Sequence, residues 1–209
     1  MDQFKTFWDI VKNQGIEVPP IQRDYAQGRE IKKVETIRKK FINAIFKALK
    51  TNSPLRLDFI YGKIYGIRNE AEHMRNKQAI NALLKSVKDK SPNKEDLVNF
   101  IPLDGQQRLT TLFLVHWYII KRLNLNDSLD ILIRFKYKTR KSSLAFINLI
   151  CSEIEINFED SIEENIKRLE NFSNTWLNDP TVNSMLVVLR EIHENFRTES
   201  KEEIRTYWE

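Results

Sequence analysis

Residues 101–113 read IPLDGQQRLTTLF, a polar pentapeptide from Asp104 to Arg108 set between two apolar stretches. Upstream, NFIPL has the aliphatic and aromatic content of a short strand ended by a turn. Downstream, LTTLFLVHWYIIKRL is apolar on nearly every side, the pattern of a helix buried all round. The pentapeptide therefore marks a strand-to-helix junction. Gly105 can take the positive φ that a sharp turn requires, and the backbone N–H groups after it open the helix without intrahelical acceptors. Such an opening favours an anion.

On the N-terminal side, Phe4, Phe7, Trp8 and Val11 follow helical spacing, with Gly15 where a C-terminal cap would fall. The two prolines of IEVPPIQRDY forbid helix and favour an extended segment. In EIKKVETIRKKFINAIFKALK, the spacing of Val34, Ile37, Phe41, Ile45 and Ala48 predicts a buried helical stripe. Leu55, Leu57, Phe59 and Tyr61 alternate on one face and predict a strand closed by Gly62 or Gly66. From Ile67 to Val98 the chain is polar and reads as an insertion between two strands.

On the C-terminal side, Ile131, Ile133, Phe135 and Tyr137 alternate with Arg134, Lys136 and Lys138, which predicts a half-exposed strand with a basic outer face. Helical patterns then dominate, with Ser161 and Glu164 as a capping box, and Asp179 and Pro180 as N-cap and first helical residue. The fold class expected is α/β (α+β): a core over residues 1–125 with a small mixed sheet and an insertion at about 67–98. A strand plus helical extension follows over 126–209. The closing KEEIRTYWE ends on aromatic residues, and the natural chain is expected to continue beyond it.

The chain has 209 residues, 41% of them hydrophobic, which is enough for a sizeable core and excludes wholesale disorder. One cysteine, Cys151, excludes a disulfide framework and fits a reducing cytosol. The N-terminus lacks the apolar region of a signal peptide, and the longest apolar run, Leu109 to Ile120, falls short of the ~20 residues of a membrane span. A cytoplasmic protein with no membrane partner is expected. The net charge of +5 and pI near 9.2 favour a polyanionic partner. Lys39 and Lys40 on the basic helix, with Arg134 and Lys136 on the strand face, are the candidate DNA-binding groups; a merely solvated face is the alternative.

A second polar segment, PPIQRDY, puts Gln22, Arg23 and Tyr25 after an extended stretch just as the junction puts Asp104, Gln106, Gln107 and Arg108 after another. If the two strands pair, Arg23 and Arg108 offer planar forks to phosphate oxygens, and the glutamines add neutral donors. Asp104 would repel phosphate unless it held Mg²⁺, oriented a water, or bound ribose hydroxyls or an arginine. The alternative is that Asp104 and Arg108 only pair with each other and cap the helix. There is no GxxxxGK[ST] sequence, so a nucleotide would use the junction rather than a P-loop. His73, His116 and His193 stand far apart without a metal-binding or nuclease pattern; His116, inside the apolar helix, reads as a core residue.

PPIQRDY, LDFIYG and IPLDGQQRLTTLFLVHWYI together resemble the N-terminal domain of the GmrSD-type modification-dependent restriction and phage-defence family, in order and spacing from about Val18 to Lys121. FKYKTRKSSLAFI and WLNDPTVNSML are similar to the family's downstream segment. The resemblance implies a ParB/sulfiredoxin-like core whose Asp-Gly-Gln-Gln-Arg junction binds and hydrolyses a nucleoside triphosphate, GTP or ATP, with Mg²⁺. It implies Asp104, Gln107 and Arg108 as catalytic, with Asp104 holding the metal. Gln22, Arg23, Gly105, Gln106 and Thr110 would bind the nucleotide. It further implies a regulatory domain of a defence protein acting on foreign or modified DNA, with a C-terminal nuclease or effector region and an oligomer left open. A ParB-like module in which nucleotide gates DNA contact without turnover is the alternative. No His-Asn-His nuclease motif is visible in this chain.

Overall fold

The structure, a computed structural model, describes residues 5–57, 59–66, 98–152 and 154–208. The expected insertion lies outside the described residues apart from Val98.

Helix α1 (Phe7–Asn13) starts at a reciprocal capping box: the Thr6 hydroxyl accepts from the Asp9 N–H, and the Asp9 carboxylate accepts from the Thr6 N–H. Strand β1 (Gly15–Val18) follows at once and stops at the proline pair. Helix α2 is Lys32–Lys50, β2 is Gly62–Gly66 and β3 is Val98–Pro102. Helix α3 (Gln106–Leu123) is followed by α4 (Asn126–Leu132), β4 (Phe135–Tyr137) and α5 (Lys141–Ile150). Helix α6 (Ile162–Lys167), a 3-10 turn (Asn174–Asn178), α7 (Pro180–Phe196) and α8 (Lys201–Trp208) complete the described chain.

The strands form one mixed sheet in the order β2-β3-β1-β4. β1 runs parallel to both β3 and β4, and β2 runs antiparallel to β3. The chain is thus mixed α/β, with a small sheet and a mainly helical C-terminal part, as its periodicities predict. Helix α3 is the spine: Leu109, Phe113, Leu114, Trp117, Tyr118 and Ile120 are buried, and the Trp117 indole N–H donates to the Ile150 carbonyl at 2.7 Å. One apolar cluster runs from Phe7 through α3 to Ile204. Asp179 caps α7, accepting from the Thr181 N–H at 2.8 Å, with Pro180 at the first helical position. Among the described residues no helix is long and apolar enough to cross a membrane.

Three expectations are corrected. The strand expected over Leu55 to Tyr61 begins only at Gly62; Phe59 is 92% exposed, so the alternating side chains find no face to cover and the ladder to β3 forms one step later. The strand expected from Ile131 is confined to Phe135–Tyr137, because Leu129 and Leu132 bury themselves on a helical turn instead. In α2 the buried stripe is rotated: Ile37 is 48% exposed, whereas Arg38, Ile42 and Ile45 face inward. Arg38 can point in because its guanidinium donates to the Gln27 carbonyl at 2.9 Å and lies 3.7 Å from the Glu191 carboxylate.

Candidate nucleotide cleft

The junction is built by backbone bonds first. The N–H groups of Leu103 and Asp104 both donate to the Tyr61 carbonyl, at 2.9 and 3.1 Å, so the chain leaves β3 held against the segment before β2. Gly105 then takes φ +87°, and a Cβ there would stand 2.8 Å from Ile60 Cγ1. Only glycine meets both conditions. Helix α3 starts at Gln106 with no side-chain cap, so its first N–H groups lack the usual acceptor. Thr110 and Thr111 bond backwards, their hydroxyls donating to the carbonyls of Gln106 and Gln107 at 2.7 and 3.0 Å.

Gln107 ties the junction to the Gln22–Gly28 loop. Its amide nitrogen donates to the Asp24 carbonyl at 3.1 Å and its oxygen accepts from the Ala26 N–H at 2.8 Å. Tyr25 between them is buried, its N–H donating to the Thr181 hydroxyl and its own hydroxyl 2.8 Å from Thr111 Oγ1. Burial pushes the Tyr25 phenol above its ordinary range, so it stays neutral. Tyr137 donates to the Arg23 carbonyl at 2.9 Å. The Asp24 carboxylate takes both forks of Arg140, at 3.1 and 3.0 Å. At Gly28 the loop passes so close to α7 that a Cβ would lie 2.2 Å from the Ser184 Cα.

These anchors form a cleft of about 250 Å³ lined by Arg23, Gln27 and all five residues from Asp104 to Arg108. A second hollow of about 120 Å³ shares Arg23, Gln27 and Gln107 with it and adds Ala26, Val34 and Ile37. Arg108 donates to the Phe59 carbonyl at 2.9 Å and lies 3.3 Å from the Asp104 carboxylate. Asp104 is 55% exposed and joins this ion pair without capping the helix. Gln106 is only 5% exposed, yet its side chain has no hydrogen bond among the described residues. Among the described residues the buried Gln27 Oε1 likewise has no hydrogen-bond partner, and the exposed Arg23 guanidinium forms no hydrogen bond or ion pair. The walls of the cleft thus hold a cation, a glutamine amide with no hydrogen bond among the described residues and uncapped N–H groups.

Not every candidate is gathered there. Gln22 turns to the Pro102 carbonyl at 3.4 Å, bracing the end of β3, and Thr110 is buried behind the helix start. Lys39 pairs with Glu35 at 2.8 Å, while Lys40 is exposed on the same helix. Arg134 donates to the Lys12 carbonyl at 2.9 Å, and Lys136 is half-buried in register with Glu17. His116 packs between Phe7 and Trp8; burial lowers its pKa to about 4, opposed by the bond to the Leu112 carbonyl. Burial pushes the Cys151 thiol up to about 12. Among the described residues no group of three or more His, Cys, Asp or Glu could hold a metal ion.

Gln27, Asp24 and Gly28 are the site residues that sequence reasoning missed. The visible signal was their continuity with QRDY in QRDYAQG; what was not visible is that the loop folds back onto α3.

A family model described as "GmrSD restriction endonuclease, N-terminal domain" matches residues 7–207. Comparison with curated proteins and with solved structures gave no match.

Proposed function

The chain belongs to the family of GmrSD restriction endonuclease N-terminal domains, and on that premise we propose that it is the nucleoside-triphosphate-binding, hydrolysing and regulatory domain of a defence protein that acts on foreign or modified DNA. The observation that carries this reading is the cleft itself, where Arg23, Arg108, the Gln106 amide, which makes no hydrogen bond among the described residues, and the open start of α3 line one space. Cationic forks and uncapped N–H groups are what a triphosphate requires in place of a P-loop. The assignment to a restriction system supports a DNA partner, a C-terminal nuclease or effector region in the natural protein and, with DNA as the target, a cytoplasmic setting.

In this reading Arg23 and Arg108 bind phosphate oxygens, Gln106 and the backbone of Gln106 to Arg108 add hydrogen bonds, and Gly105 lets the phosphates approach the backbone. Asp104 fits a Mg²⁺ ion carried in with the nucleotide, because its carboxylate is exposed and, among the described residues, Arg108 is its one ion-pair partner. The metal, when bound, would screen the charge that develops on the transferred phosphate. Asp104 meanwhile holds Arg108 at the mouth of the cleft. Gln107 is a positioning residue here, since both ends of its amide engage the loop.

That commitment of Gln107 favours a second reading, a nucleotide-gated DNA-binding module without significant turnover. Phosphate release from GTP and ATP, with and without duplex DNA, separates the two. Turnover that is lost in Asp104→Asn supports the hydrolase; tight binding with no release supports the gate.

A further inference from the structure

We infer that the smaller hollow beside the cleft is the nucleobase subsite, and that Gln27 is the residue that reads the base. This rests on the phosphate cleft proposed above. The two spaces share a wall made by Arg23, Gln27 and Gln107, so a ligand whose phosphates lie at the start of α3 extends naturally into the second. Its far side is aliphatic, formed by Ala26, Val34 and Ile37. A volume of about 120 Å³ exceeds what a single water needs and suits a flat group.

The chemistry of the two spaces differs as the two ends of a nucleotide differ. One has cations and helix N–H groups; the other has aliphatic faces against which a base can lie, with few polar atoms. Ile37, a residue the helical spacing placed in the core, is instead half out of it on this wall. Gln27 Oε1 is buried without a hydrogen-bond partner among the described residues, a state that costs stability unless a donor arrives. Each base offers a ring or exocyclic N–H, but at a position that differs from base to base, so one fixed acceptor favours some bases over others. The Gln27 backbone is fixed from behind, its carbonyl accepting from Arg38, so the side chain is presented on a rigid mount. Arg23 lines both spaces and can serve a phosphate or stack on the ring.

The test is calorimetric titration of the full chain with the four common nucleoside triphosphates and with inorganic tripolyphosphate. The wild type is expected to bind at least one nucleoside triphosphate about tenfold more tightly than tripolyphosphate. Gln27→Leu and, separately, Ile37→Ser are expected to collapse that ratio towards one, and Gln27→Leu to narrow the spread among bases. Ile37 is exposed enough for its variant to fold if the other does not. Equal binding of tripolyphosphate and every nucleotide by the wild type would overturn the base subsite while leaving the phosphate cleft standing. A ratio unchanged in both variants would do the same. Binding of neither ligand would overturn the cleft, and the subsite with it.

Discussion

The side-chain amide of Gln107 donates to the carbonyl of Asp24 at 3.1 Å, joining the first turn of the buried helix to a loop 83 residues earlier in the chain. Because the same amide also accepts from Ala26, one side chain holds the loop at two points beside the cleft. Gln107→Ala should cost about 1–3 kcal/mol of stability through the unpaired Ala26 N–H, and should weaken nucleotide binding by displacing Arg23 and Gln27. Urea unfolding and calorimetry on one preparation check both; full stability with loose binding would place Gln107 on the ligand instead.

Arg108→Ala should weaken triphosphate binding roughly tenfold or more, whereas Asp104→Ala should reduce turnover more than affinity. An arginine contacts phosphate already in the ground state; a carboxylate acting through a metal matters most where charge develops. Asp104→Ala removes the 3.3 Å pair, but Arg108 keeps its bond to the Phe59 carbonyl, so it is expected to stay placed for binding. Titration and phosphate release on both variants decide this, and no change in either would remove the junction from the chemistry.

Stability should fall as the medium is acidified below neutrality. His116 titrates near 4 in the folded chain against about 6.5 unfolded, so between those values the unfolded state binds a proton that the folded state refuses. The loss begins near pH 6.5 and is complete near pH 4, amounting to at most about 3 kcal/mol. His193, lowered by burial, adds in the same direction. Denaturation midpoints at pH 7 and pH 5, compared with those of His116→Phe, measure the effect; an equal acid loss in the variant would assign it elsewhere.

The junction was the most legible part of the chain. Strand before Asp104, positive φ at Gly105 and a buried helix after it follow from local composition alone, and each is decided within a few residues. Edges were less legible. Leu55 to Tyr61 alternate as a strand should, but whether alternation becomes a ladder depends on a neighbouring face, and Phe59 has none. Arg38 reads as a surface cation because nothing local reveals that Glu191 and the Gln27 carbonyl await it. The cleft was half legible: its arginines and glutamines stand in motifs, yet Gln27 and the spacing to α7 appear only when residues far apart in sequence meet.

Gly28→Ala should destabilise the fold by more than a typical surface substitution. The added methyl would meet the backbone of Ser184, and neither main chain can yield without shifting α7. A loss of about 1–3 kcal/mol is expected from overpacking. Thermal unfolding checks it, and a neutral result would mean that loop and helix separate easily.

Replacing Lys39, Lys40, Arg134 and Lys136 by Gln should lower affinity for duplex DNA whatever its sequence and flatten the salt dependence, each lost phosphate contact removing roughly one counterion from the slope. Lys40, exposed on α2, should account for more of this than Arg134, whose guanidinium already serves the Lys12 carbonyl. Titrations at several salt concentrations measure it; an unchanged slope would leave these charges as solvation only.

The loop from Gln22 to Gly28 has no helix or strand of its own, and the Tyr25 and Ala26 amides are bonded to side chains of α7 and α3 rather than to backbone. Its order is therefore borrowed. Amide protons at Tyr25 and Ala26 should exchange with solvent only when the two helices part, so a short irregular segment becomes a reporter of the cooperative opening of the whole domain. Any force that pulls α7 away from α3 is then felt at the cleft before it is felt in the sheet.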